Sequence, residues 1–149
     1  MAINTKKVII AGLAAGVVLA ILDFIMNGFL FADRMVAEMN AFKPGMGDVM
    51  KEMDTNTMIG FIIMDLVIGM LLAYTYAAMR PRFGPGAKTS IIAAMILWIF
   101  GTIVSANYLV MGMMSKGLWW TIGLSYLICL VITALVAGAL YSEEGTTTV

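Results

Sequence analysis

The run VIIAGLAAGVVLAILDFIMNGFLF, residues 8–31, is apolar apart from Asp23 and Asn27. A helix rises about 1.5 Å per residue, so about 20 apolar residues cross a hydrocarbon core roughly 30 Å thick. A secretory signal has an apolar region of only about 7–15 residues. The run is longer than that, so we read it as a retained membrane-spanning helix. Three further stretches pass the same test, at about 57–79, 89–112 and 118–141. The second contains one acid, Asp65; the last two contain no charge. The expected fold is all-α: an integral membrane four-helix bundle in a single domain, 1–149. Overall composition agrees, with 62% hydrophobic and 12% charged residues and a mean hydropathy of +0.97. A water-soluble domain carries about twice that share of charge.

Loop charges give an orientation. Lys6 and Lys7 precede the first span, and Arg80, Arg82 and Lys88 crowd the short loop between the second and third. Cationic loops stay in the cytoplasm, so both termini are expected inside. The segment 33–56 carries Asp33, Glu38, Asp48, Glu52 and Asp54 against Arg34, Lys43 and Lys51, and is expected outside, as is the turn Ser115-Lys116-Gly117. Trp119 and Trp120 then fall at the outer interface, where indole rings settle. The C-terminal tail, 142–149, is polar and expected to fray.

Within segment 33–56, Met35, Val36 and Met39 share one helical face, and Met46, Val49, Met50 and Met53 share another. Pro44-Gly45 stands between them. The pattern predicts two short amphipathic helices, the first extending span one. In the loop at 80–90, Pro81 is expected to end span two, and Thr89 or Ser90 to cap span three. The Gly-Pro-Gly-Ala-Lys-Thr stretch there has no glycine before its lysine and no preceding strand, so it is not a phosphate loop. Arg80, Arg82 and Lys88 are instead candidate contacts for lipid headgroups.

The intramembrane polar residues are the candidate site. Counting helical rise from span centres puts Asp23 and Asp65 at nearly one depth in the outer half, with Asn27, Ser105, Asn107, Thr121, Ser125 and Tyr126 nearby. Gly12, Gly16, Ala20, Asp23, Asn27 and Arg34 follow a three-or-four spacing, a small-residue stripe that permits close helix contact and continues into acid and amide. Asp65, Gly69, Ala73 and Tyr76 line one face of span two. Gly101, Ser105 and Gly112 line one face of span three, with Asn107 displaced. No Lys, Arg or His lies in any span to neutralise the acids. An ionised carboxylate in hydrocarbon costs about 2.5–3.5 kcal/mol on insertion scales. Two solutions lie within the chain: a neutral hydrogen-bonded clasp, or a proton shared between the two acids. The third is a cation or a ligand's positive group held between them. The candidate ion, proton or ligand residues are Asp23, Asn27, Asp65, Ser105, Asn107 and Ser125.

The chain has no histidine. That removes the usual ligand of haem b and of zinc, and the usual general base. No cofactor is expected, and no nucleophile–base set points to an enzyme. Net charge is zero, giving no footprint for nucleic acid. Cys129 is the sole cysteine, so no disulfide forms within the chain. Thioethers are soft Cu(I) ligands, which makes Met46, Met50 and Met53 a minor metal alternative.

The pattern Tyr76-Ala77-Ala78-Met79-Arg80-Pro81-Arg82-Phe83-Gly84-Pro85-Gly86-Ala87-Lys88-Thr89, with Asp23, Asn27 and Gly28 in span one, resembles a group of uncharacterised bacterial four-span proteins. That resemblance covers nearly the whole chain. It implies the architecture and a bacterial inner membrane, and no activity. Gly-rich faces, a Met-rich outer segment and little mass outside the bilayer favour an accessory or structural subunit, with other membrane subunits or further copies as partners. The alternative is a small proton- or cation-coupled transporter or channel using Asp23 and Asp65. The orientation is directly testable. In a Cys129→Ser background, a membrane-impermeant maleimide should label Lys43→Cys in intact cells and Lys88→Cys only after lysis.

Overall fold

In the computed structural model, which describes residues 3–141 except the side chains of Met50 and Lys51, every regular element is helical. Helix α1 (Thr5–Ile25) runs into a π turn at Met26–Leu30. Then come α2 (Ala32–Phe42), α3 (Asp48–Lys51), α4 (Thr55–Phe83), α5 (Ala87–Val110) and α6 (Lys116–Leu140). Four segments are long and apolar enough to cross a membrane: Thr5–Leu30, Thr55–Phe83, Ala87–Val110 and Lys116–Leu140. The chain is a multi-pass helical membrane bundle. The tail at 142–149 lies outside the described residues.

Side-chain oxygens start three of these helices. Asn4, Asp54 and Ser115 each accept from the amide three residues on, which satisfies a donor that the first turn leaves open. Hydrogen bonds from the Thr57 hydroxyl and amide hold the Asp54 carboxyl below its usual range.

Two boundary expectations are corrected. Pro81 does not end the second span; α4 continues through it to Phe83. In the last turn proline removes only its own N–H bond, and the stop comes instead at Gly84. Its φ of 80° turns the chain while its amide still reaches the Arg80 carbonyl, 2.9 Å. Nor do Thr89 and Ser90 cap the third span. Helix α5 starts from Gly86, φ 115°. The two hydroxyls instead donate back to the Gly84 carbonyl (2.6 Å) and the Gly86 carbonyl (3.5 Å), tying the turn to the helix. In segment 33–56 the first amphipathic helix is α2, joined to α1 by the π turn. The second is reduced to the single turn of α3.

Bundle packing follows from small residues. Lipid tails are as apolar as leucine, so spans associate through close packing rather than through exclusion of water. A Cβ on Gly12 would stand 2.6 Å from Met70 Cα, and one on Gly16 2.6 Å from Leu66 Cα. A Cβ on Gly69 would strike the Gly16 amide and the Gly12 carbonyl. The two backbones therefore touch, and the stripe read in the sequence closes α1 on α4 inside the chain. Helix α6 packs on α1, α4 and α5, while α1 and α5 stand at opposite corners. One buried cluster gathers Ala11, Ala15, Ala73, Tyr76, Ala77 and Ala93 toward the end where the described chain begins and ends. A second gathers Leu19, Leu72, Ala94, Cys129, Leu130 and Ala134 in mid-bundle.

Beyond Asp65 the packing changes. Every residue of α4 from 55 to 64 is exposed, on all faces. A helix held against the bundle would bury one face, so α4 leans away from its neighbours in this half. Gly69→Ala should lower the unfolding free energy in detergent by about 1–3 kcal/mol, because backbone must shift to admit the methyl. Gly60, which has nothing within 4 Å of its Cβ position, should accept alanine with a change under about 0.5 kcal/mol.

Candidate functional site

The glycine contact sets the level of each acid. The carbonyl of Asp65 lies 3.0 Å from the Cβ position of Gly16, so Asp65 sits beside Gly16. Asp23 is two helical turns further along α1, about 10 Å toward the α1–α2 end. The expectation of one common depth is thus corrected. Span centres are a poor ruler here, because α4 is set along α1 by where the glycines meet and not by where its apolar run is centred.

The two carboxyls remain within electrostatic range of each other, but among the described residues no hydrogen bond joins them. Asp23 Oδ1 accepts from Asn27 Nδ2 at 2.7 Å, within one helical turn. Asp65 is only 5% exposed, and no described residue donates to it. Tyr126 of α6 is in electrostatic range of both acids. It packs against the mid-bundle cluster, as do Leu22, Met26 and Ile68.

The wider polar layer does not assemble. The Ser105 hydroxyl donates to the Thr102 carbonyl at 3.0 Å and accepts from Trp119 Nε1 at 3.1 Å. Asn107 is exposed and donates to the Val104 carbonyl of its own helix, 2.8 Å. Thr121 donates to the Gly117 carbonyl, 2.8 Å. Ser125 is half-buried on α6, and its hydroxyl makes no hydrogen bond to a described residue. With α5 and α1 at opposite corners, Ser105 of α5 serves the α5–α6 contact, Asn107 serves neither, and the acid cluster draws on α1, α4 and α6.

Between α5 and α6 lies a cavity of about 280 Å³. Gly101 and Gly123 open it from the two helices, each with nothing within 4 Å of its Cβ position. Trp98, Tyr108, Trp119 and Tyr126 supply its aromatic lining, and Met35 of α2 and Met114 of the α5–α6 turn complete it. Both indole N–H groups are engaged: Trp98 Nε1 donates to the Gly123 carbonyl at 2.6 Å, and Trp119 Nε1 to Ser105. Sequence reading missed this site, although the signal existed. Trp98, Gly101 and Ser105 share one face of α5; Trp119, Gly123 and Tyr126 share one face of α6.

Helix α2 is fastened beside the cavity by a contact across 77 positions of sequence. The Ser115 amide and hydroxyl donate to Glu38 Oε2 and Oε1, both at 2.7 Å. Ser115 also caps α6, so the carboxylate sits at a helix N-terminus, where negative charge is favoured. Arg34 Nε stands 3.8 Å from Glu38 Oε1.

At the opposite end, Arg82 and Lys88 are exposed, whereas Arg80 is half-buried with its guanidinium 5.8 Å from the centre of the Tyr141 ring. The Tyr76 hydroxyl accepts from the Gly86 amide, 3.0 Å, and the Tyr141 hydroxyl from the Asn4 amide, 3.2 Å. Of the minor copper candidates, Met46 is half-buried and Met53 exposed; the Met50 side chain lies outside the described ones. Among the described residues, no three His, Cys, Asp or Glu side chains form a metal-binding group.

Comparison with family models, with curated proteins and with solved structures finds no match to this chain.

Glu38→Ala should free α2 without unfolding the bundle. The expected cost is about 1 kcal/mol locally, read as faster amide exchange through 32–42 with exchange in α4–α6 unchanged.

Proposed function

We propose that the chain is an accessory or structural subunit of a larger membrane protein complex in a bacterial cytoplasmic membrane, with both termini cytoplasmic. The observation that carries this is the exposure of α4 on every face from 55 to 64. Membrane helices are held by close packing, and this half-span has no packing partner among the described residues. Gly60 offers a place for close approach, and Met58, Ile59, Phe61, Ile62, Ile63 and Met64 offer adaptable apolar surface. A partner helix lying here also covers the approach to Asp65 and can bring it a hydrogen-bond donor. The Gly12–Gly16–Gly69 stripe is occupied within the chain, so docking falls to α4. The loop resemblance at 76–89 supports the bacterial setting, and Lys6, Lys7, Arg82 and Lys88 support the orientation.

A photo-crosslinking residue at Ile62 tests the assignment in living cells. One protein adduct at Ile62, with lipid adducts alone at Ile21 on the exposed face of α1, is the expected result. Lipid adducts alone at both positions reject it.

One observation favours the alternative of a small proton- or cation-coupled transporter or channel. Asp65 is buried without a described donor, and intramembrane acids commonly mark ion paths. On this reading, Asp65→Asn abolishes cation-dependent activity in cells while elution and helix content stay normal. Retained activity in both Asp23→Asn and Asp65→Asn rejects it.

A further inference from the structure

The cavity between α5 and α6 is not used by either assignment above. Its lining is aromatic and thioether, with Trp98, Tyr108, Trp119 and Tyr126 around the gap that Gly101 and Gly123 leave. Because both indole N–H groups are already bonded inside the protein, the tryptophans offer an occupant their π systems rather than donors. An aromatic π face attracts positive charge, more strongly where water is excluded.

The charge around the cavity has one sign at membrane depth. Tyr126 lines it and is within electrostatic range of both Asp23 and Asp65. Asp23 already accepts from Asn27; Asp65, nine-tenths buried, has no donor among the described residues. Within the apolar stretches 8–31, 57–79, 89–112 and 118–141 no Lys, Arg or His offers a countercharge; Lys6, Lys7, Arg80, Arg82, Lys88 and Lys116 stand at the span ends. A neutral apolar occupant would use the rings and leave the carboxyls unanswered. An occupant with apolar groups around a positive centre uses both.

We propose that this cavity binds a lipophilic organic cation of the aryl- or alkylammonium class, with its apolar part between Gly101 and Gly123 and its charge toward Tyr126 and Asp65. The proposal rests on the acid-site reading above and names its ligand class. Helix α2 bounds the site through Met35 and is held by the Glu38–Ser115 bonds.

Benzyltrimethylammonium and its uncharged isostere neopentylbenzene separate charge from shape. Both are titrated into the full chain in mild detergent, with fluorescence of Trp98 and Trp119 as the readout and a Trp98→Phe/Trp119→Phe double variant as the micelle-partition control. The expected result is saturable binding of the cation, at least about tenfold tighter than the isostere. Asp65→Asn should weaken the cation about tenfold and leave the isostere unchanged. Gly123→Leu should abolish binding of both. Gly101→Leu does the same from the other helix, should the first variant fail to elute as a folded species. Equal affinity for the two compounds, or cation binding that survives both leucine variants or Asp65→Asn, overturns the proposal. So does a cation signal no different from that of the double variant. Survival of binding in the leucine variants leaves the acid-site reading standing; that reading falls separately, if Asp23→Asn and Asp65→Asn both keep cation-dependent activity in cells.

Discussion

Backbone contact between α1 and α4 at Gly12, Gly16 and Gly69 is the constraint on which the rest depends. In water, apolar helix faces would be driven together whatever their size. In a bilayer that drive is absent, and the bond between two spans is as strong as their surfaces are close. Three glycines let two backbones touch, and this fixes the sliding register of α4 along α1. Once the register is fixed, Asp65 is level with Gly16, Asp23 stands two turns beyond it, and α6 lays Tyr126 within electrostatic range of both.

The same contact accounts for the asymmetry of the bundle. On one side of it, alanines, Tyr76 and Tyr141 fill a dense interior. The other side has no small-residue contact of that kind between α1 and α4. There α1 departs through the π turn and hands the chain to α2, which is fastened to the start of α6 by Glu38 and Ser115. Helix α4 is left without a neighbour. The open half of α4, the acid cluster at its base and the aromatic cavity behind Tyr126 therefore belong to one end of the molecule.

Much of this was legible in the sequence, and the parts that were not share a cause. Four spans follow from apolar length. The contact stripe at Gly12 and Gly16 follows from helical spacing, and so does the inward face of α2 at Met35, Val36 and Met39. The relative level of Asp23 and Asp65 was misread because hydropathy marks where a helix is apolar, not where it touches its neighbour. Depth alone puts Ser105 and Asn107 in a common layer, because nothing in one chain's sequence says that α5 and α1 stand apart. Pro81 reads as a stop but is passed, because a proline's cost depends on how many hydrogen bonds follow it, and near a helix end few do. The Glu38–Ser115 bond joins residues too far apart in sequence for local pattern to pair them.

Spin-label distances in lipid nanodiscs test the central constraint directly. Ile10 and Tyr74 label exposed, level positions of α1 and α4 on the tightly packed side of the glycine contact. Ile21 and Ile63 lie eleven residues further along each helix, on nearly the same faces, toward the open side. The expected result is a longer Ile21–Ile63 separation than Ile10–Tyr74, because the helices touch at Gly12, Gly16 and Gly69 and diverge beyond Asp65. Equal separations, or a shorter one at Ile21–Ile63, would contradict the account.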